Sequence, residues 1–160
     1  MAQPCPPLLV IGYGNTLRRD DGLGWQAAEA LRARVAPAQV DVLTVHQLTI
    51  ELAERITTAG LLLLIDAAQS GTPGAITAHE VAPGLSLPDL THYLDPPALL
   101  AAAQALYGRA PRALLFTVAG QSFAFGEGLS PVVQAALPEL LDRLEAAITA
   151  HLRHLHQKEA

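Results

Sequence analysis

The run Leu8-Leu9-Val10-Ile11-Gly12-Tyr13-Gly14-Asn15-Thr16-Leu17-Arg18-Arg19-Asp20-Asp21-Gly22-Leu23-Gly24 decides how the rest of the chain is read. Four consecutive apolar residues without alternation suit a strand buried on both faces of a parallel sheet. Two glycines then give a tight turn, and a polar loop carries adjacent carboxylates into a helix. In open α/β sheets, ligands gather where strands end and helices begin, so this junction is the first place to look for chemistry.

Working outward, the pattern predicts strand 8–11, then a helix from Asp20 or Asp21 to about Val35 with Leu23, Ala27, Leu31 and Val35 as its apolar stripe. Strand 40–45 follows, then a helix with Leu48, Leu52 and Ile56 buried and Gly60 closing it. The unalternating run 61–65 reads as a central strand that Asp66 ends. After the turn at Gly71-Thr72-Pro73-Gly74, the stretch 75–81 reads as an edge strand antiparallel to its predecessor, because the link is too short for a helical crossover. A proline-rich loop over 82–97 contains His92. Asp95 before two prolines starts a helix to about Tyr107. Strand 113–118 and a glycine-containing loop then lead to Ser130-Pro131, an N-cap with proline at the first helical position. The last helix carries the stripe Leu140, Leu144, Ile148 and Leu152, with Pro138 expected to kink it or start a new segment.

The expected fold is α/β and three-layered: a mostly parallel twisted five-stranded sheet, helices on both faces, and one antiparallel edge strand. The 160 residues read as one domain, with 1–7 and 156–160 as flexible tails. Hydrophobic residues make up 51% and aromatics only 4%, so the core is aliphatic. A formal charge of -5 and a pI near 5.6 argue against nucleic acid or an anionic membrane as partner. Cys5 is the only cysteine, which excludes an internal disulfide and a multi-cysteine metal site. The start lacks signal-peptide character, and no apolar run is long enough to span a bilayer; the expectation is a cytoplasmic protein.

A dinucleotide fingerprint needs a third glycine where Leu17 stands, and an acid at the end of the second strand, where this chain has His46. The Gly-Lys-Ser/Thr of a phosphate loop is absent, and Asp20 and Asp21 would repel phosphate. Paired acids suit a cation instead. One of them, Asp20, is accounted for as an N-cap or first-turn acid favoured by the helix dipole. That leaves Asp21 as the better ligand. Asp66 follows the most apolar strand and would lie on the same carboxyl edge; its other possible role is to cap the neighbouring loop. His46 and His92 can both reach that edge, whereas His79 lies in the expected edge strand with no acidic companion except Glu80, and His151, His154 and His156 read as surface. Two carboxylates and an imidazole suit nickel, manganese or zinc with open positions for substrate or water. The serine-hydrolase Gly-x-Ser-x-Gly and the zinc-peptidase His-Glu-x-x-His are both missing.

The stretch 12–24 closely resembles the N-terminal signature of the nickel-iron hydrogenase maturation endopeptidases, which trim the C-terminal tail of the hydrogenase large subunit. His46-Gln47-Leu48-Thr49 resembles a variant found in part of that family. The strand ending in Asp66, the loop histidine His92, and Gly128-Leu129-Ser130-Pro131 fall in the family's order. The resemblance implies Asp21, Asp66 and His92 as metal ligands, with His46 the substitute for His92. It implies Asn15, Asp20, His46 and Gln47 on the substrate-binding side, and nickel supplied by the substrate, with other divalent cations able to occupy the site. The implied partner is the large-subunit precursor. A non-catalytic metal-sensing chaperone and a hydrolase with its own bound metal are the alternatives.

Overall fold

A computed structural model describes residues 7–84 and 93–160. Strand β1 (Leu8–Tyr13) lies between β2 (Val40–Val45) and β3 (Leu61–Ala68), parallel to both. Strand β5 (Arg112–Ala119) pairs parallel with β3, and β4 (Ile76–Val81) pairs antiparallel with β5, giving the order β2-β1-β3-β5-β4. Helices α1 (Leu23–Arg32) and α4 (Pro131–Glu159) cover one face; α2 (Leu52–Ile56) and α3 (Pro96–Tyr107) cover the other.

The apolar runs now have their reason. Leu8, Val10, Leu61, Leu63 and Ile65 pack towards α1 and α4, while Leu9, Ile11, Leu62 and Leu64 pack towards α2 and α3. Both sides of these strands are buried, so no position is left for a polar residue to alternate into. Asp95 caps α3 by accepting from the Ala98 amide at 2.9 Å, and Gly108 ends that helix in the left-handed conformation.

The glycines flanking the first loop serve packing. A Cβ on Gly24 would lie 2.5 Å from the carbonyl oxygens of both Ile65 and Tyr13, and one on Gly12 would overlap the Gly24 carbonyl. The first turn of α1 therefore rests directly on the backbone of β1 and β3, which only glycine permits.

Several sequence expectations are completed or corrected. Strand β4 is the edge strand and runs against β3 as expected; what the sequence left open is that β5 lies between them. Buried Ala113, Phe116 and Val118 suit β5 to the interior, while exposed Thr77, His79 and Glu80 suit β4 to the edge. Strand β3 continues through Asp66 to Ala68. A short 3-10 turn, Arg19–Gly22, precedes α1, which ends at Arg32, short of Val35. Leu48 is buried ahead of the single-turn α2, and the Gly60 amide donates to the Pro7 carbonyl at 2.9 Å instead of capping that helix. Pro138 sits inside α4, which continues as one element through the expected C-terminal tail to Glu159. His151 is half-buried under Gly60, and burial lowers its pKa. No helix among the described residues is long and apolar enough to cross a membrane.

Candidate active site at the carboxyl edge of the sheet

The strand order reverses about β1, with β2 on one side and β3 on the other, and a crevice lies at the carboxyl ends of these three strands. Its floor is a pocket of about 230 Å³ lined by Tyr13, Asp21, His46, Gln47, Asp66 and Tyr93, among others. No lysine or arginine lies among the described lining residues.

The first loop builds itself around Asn15. Its side-chain oxygen accepts from the Leu17 amide at 2.9 Å, and its own amide donates to Asp21 Oδ2 at 2.7 Å. One oxygen of Asp21 is thereby fixed and the carboxylate is aimed at the pocket. The carbonyl of Val45, at the end of β2, accepts from the Gly14 amide at 3.2 Å and from Trp25 Nε1 at 2.8 Å. This ties the following His46-Gln47 pair to the same loop. The Leu94 amide donates to the Leu48 carbonyl at 3.0 Å, holding Tyr93 beside them.

Asp66 is partly buried, and its Oδ1 accepts from the adjacent Ala67 amide at 2.8 Å. Burial pushes its carboxyl up to about 6; the negative charge of Asp21 adds to the rise, while the Ala67 amide and the Tyr13 hydroxyl oppose it. Tyr13 is held far above the ordinary phenol range, by burial first and then by the charge of Asp66, so it stays a proton donor towards Asp66. Sequence reasoning missed Tyr13. Its signal was present: a tyrosine between two close-packed glycines at a strand end has only the crevice to point into.

Asp20 and Asp21 are neighbours with opposite fates. Asp20 is 0% exposed. It accepts from the amides of Gln121 (2.8 Å), Ser122 (3.0 Å) and Ser130 (2.7 Å), and from the Ser130 hydroxyl (2.8 Å). Burial alone would raise its pKa; these four donors outweigh it and hold the carboxyl below its usual value. Asp20 is therefore neither a helix cap nor a substrate contact: it fastens the loop before α4 to the loop after β1. Ser130 correspondingly spends its hydroxyl on Asp20 and makes no side-chain cap on α4.

His92 lies outside the described residues. Among those described, no three His, Cys, Asp or Glu side chains are gathered closely enough to hold an ion by themselves. The pocket does carry what a cation would meet: two like-charged carboxylates, one of them made costly to ionise by burial.

That cost gives a stability prediction. The folded state binds the Asp66 proton more tightly than the unfolded chain, so its stabilising contribution is complete below about pH 4 and lost as pH rises through about 6. Asp66→Asn, neutral and similar in shape, is expected to stabilise the free protein by roughly 2 kcal/mol at about pH 7 and by nearly nothing at about pH 4. Urea unfolding at the two pH values checks this; an equal effect at both would contradict it.

The arrangement defines a three-layer α/β protein with an acidic pocket at the topological switch of its sheet. No known family's sequence profile matches the chain. It is 38% identical over 69 residues to the hydrogenase expression/formation protein HupD of Thiocapsa roseopersicina; this stretch is 42% of the chain and 31% of that protein, so the match spans about a third of the relative's length. Its structure resembles the hydrogenase maturating endopeptidase HybD from E. coli, with a TM-score of 0.75 and 25% identity over 90% of this chain and 93% of that one. An endopeptidase from Escherichia coli solved in solution gives a TM-score of 0.74 and 26% identity over the same shares, 90% and 93%. In fold over nine-tenths of its length, and in part of its sequence, the chain is similar to proteins of hydrogenase maturation, the endopeptidase HybD among them.

Proposed function

We propose that the protein is an endopeptidase that removes the C-terminal extension of a nickel-iron hydrogenase large-subunit precursor after nickel has been inserted, and that it reads the nickel carried by the substrate. The observation that carries this reading is the convergence of Asp21 and Asp66, about 45 residues apart in sequence, on one pocket whose described lining contains no basic side chain. Likeness to the E. coli endopeptidase HybD supplies the reaction class.

In this reading Asp21 and Asp66 meet the substrate's nickel, with His92 as the third ligand and His46, on the pocket wall, as its substitute. A second-row role falls to Tyr13, whose hydroxyl orients the Asp66 carboxylate, and to the Asn15 amide, which orients Asp21. Nickel held against two carboxylates can polarise the scissile carbonyl or a water molecule beside it. His46 and Gln47 flank the pocket mouth and orient the extended tail. No serine, threonine or cysteine is among the described lining residues, which favours water as the attacking group over a covalent intermediate.

The same absence of a nucleophile suits a chaperone that grips the metal-bearing partner without cutting it. Intact mass of the purified precursor before and after mixing separates the two. A shortened large subunit is expected; unchanged mass with a stable complex would favour the chaperone. A hydrolase with its own cofactor would instead retain stoichiometric metal after purification.

A further inference from the structure

Beside the acidic pocket, but outside it, the first loop and the β5–α4 loop together make a second surface. Arg18 and Gly126 form a parallel bridge, the Gly126 amide donates to the Leu17 carbonyl at 2.8 Å, and the Arg19 amide donates to the Gly126 carbonyl at 2.9 Å. With Asp20 fastened to residues 121, 122 and 130, the two loops form one rigid platform. Phe123 turns inward onto the core, and Phe125 turns outward with 78% of its surface exposed. Leu17, across the bridge, is 47% exposed, and the Arg18 guanidinium lies 5.9 Å from the centre of the Phe125 ring.

Two features separate this platform from ordinary surface. An exposed aromatic with an arginine over it, carried on a backbone tied at both loops, is the kind of group that dominates protein interfaces, because little backbone freedom is left to lose on binding. The Arg18 charge is also without a carboxylate partner among the described residues. Arg32, Arg34, Arg55, Arg112 and Arg143 each pair with a carboxylate; among the described residues Arg18 does not, as Arg109 and Arg153 do not, while the Arg19 guanidinium donates to the Glu127 carbonyl at 3.5 Å. In a chain of net charge -5, an arginine without an ion-pair partner, set over an exposed phenylalanine, suits carboxylates from elsewhere.

We propose that Leu17, Arg18 and Phe125 form a docking surface for the folded body of the precursor, whose matching face offers an apolar socket rimmed by carboxylates. The partner's identity rests on the peptidase reading; the surface and its chemistry do not. Docking here fixes the precursor on the rim while its tail enters the neighbouring pocket, so affinity and cutting are carried by different residues.

The test is binding of fluorescently labelled precursor by anisotropy at low and high salt, beside steady-state trimming. Phe125→Ala is expected to weaken binding and raise KM by about tenfold or more, leaving kcat within about twofold. Arg18→Glu should act in the same direction and flatten the salt dependence. Both side chains are exposed, so the thermal midpoint should not move, and Phe125→Leu should recover part of the affinity. Variants that bind within about twofold of wild type would overturn the proposal, as would a wild type that does not bind precursor. Wild type that binds but never trims overturns the peptidase reading and leaves the surface standing.

Discussion

Asp66→Ala is expected to cut the rate of precursor trimming by about 10³-fold while the protein stays folded, because removing one preorganised charged group from a reaction centre typically costs that much. The direction of the two effects is the diagnostic. Asp66 is partly buried, near Asp21, and its carboxyl is pushed up to about 6, so its charge is a burden on the free fold. A residue that costs stability and is required for activity belongs to the site and not to the scaffold. Asp21→Ala should lose activity to a similar degree, but it also frees the Asn15 amide, so its stability should fall slightly instead of rising. Timed intact-mass measurements on the precursor, paired with urea unfolding of each variant, read both quantities. Full activity in either variant would remove that carboxylate from the proposed site.

Asp20→Ala is the complementary case, with its largest effect on the fold. Three backbone amides and one hydroxyl converge on this fully buried carboxylate. Deleting it leaves those donors facing a cavity, a loss of roughly 3–5 kcal/mol. For a domain of this size that corresponds to a thermal midpoint lower by about 10 °C. Asn does not rescue it well, because its amide group would point a donor at donors. The linkage runs opposite to that of Asp66: a carboxyl held below its usual value stabilises the fold above about pH 4 and loses that contribution as pH falls. Wild type should therefore lose stability on acidification, and Asp20→Ala should lose less. Hydrogen exchange should show residues 121–130 opening first in the variant; unchanged protection there would contradict the fastening role.

These two aspartates mark the limit of what local pattern reveals. The strand–loop–helix at the start, β2, and the start of α3 at Asp95 were readable because each depends on neighbours in sequence: an apolar run, a cap, a proline at the first turn. Adjacent Asp20 and Asp21 offered no such handle. A 3-10 turn rotates successive side chains by about 120°, so one faces the interior and the other the crevice. Which is which depends on amides more than a hundred residues away. The place of β4 was hidden for a related reason. The short link correctly implied a strand running against β3, but the space beside β3 went to a later and more apolar strand. Pro138 does not start a new segment: it lies exposed inside α4, which is continuous from Pro131 to Glu159. At the site, Asp66 was visible as an acid after the most apolar strand, and Asp21 as the second of two adjacent acids, one more than the helix dipole accounts for. Tyr13 was overlooked although its place between Gly12 and Gly14 at a strand end marked it; its hydrogen bond to Asp66 arises once β3 lies alongside.

The most direct measurement is the mass of the large-subunit precursor after incubation with this protein in two parallel preparations, one loaded with nickel and one kept free of it. The account predicts trimming of the loaded precursor alone, with its loss in Asp66→Ala. Equal trimming of both preparations would contradict it.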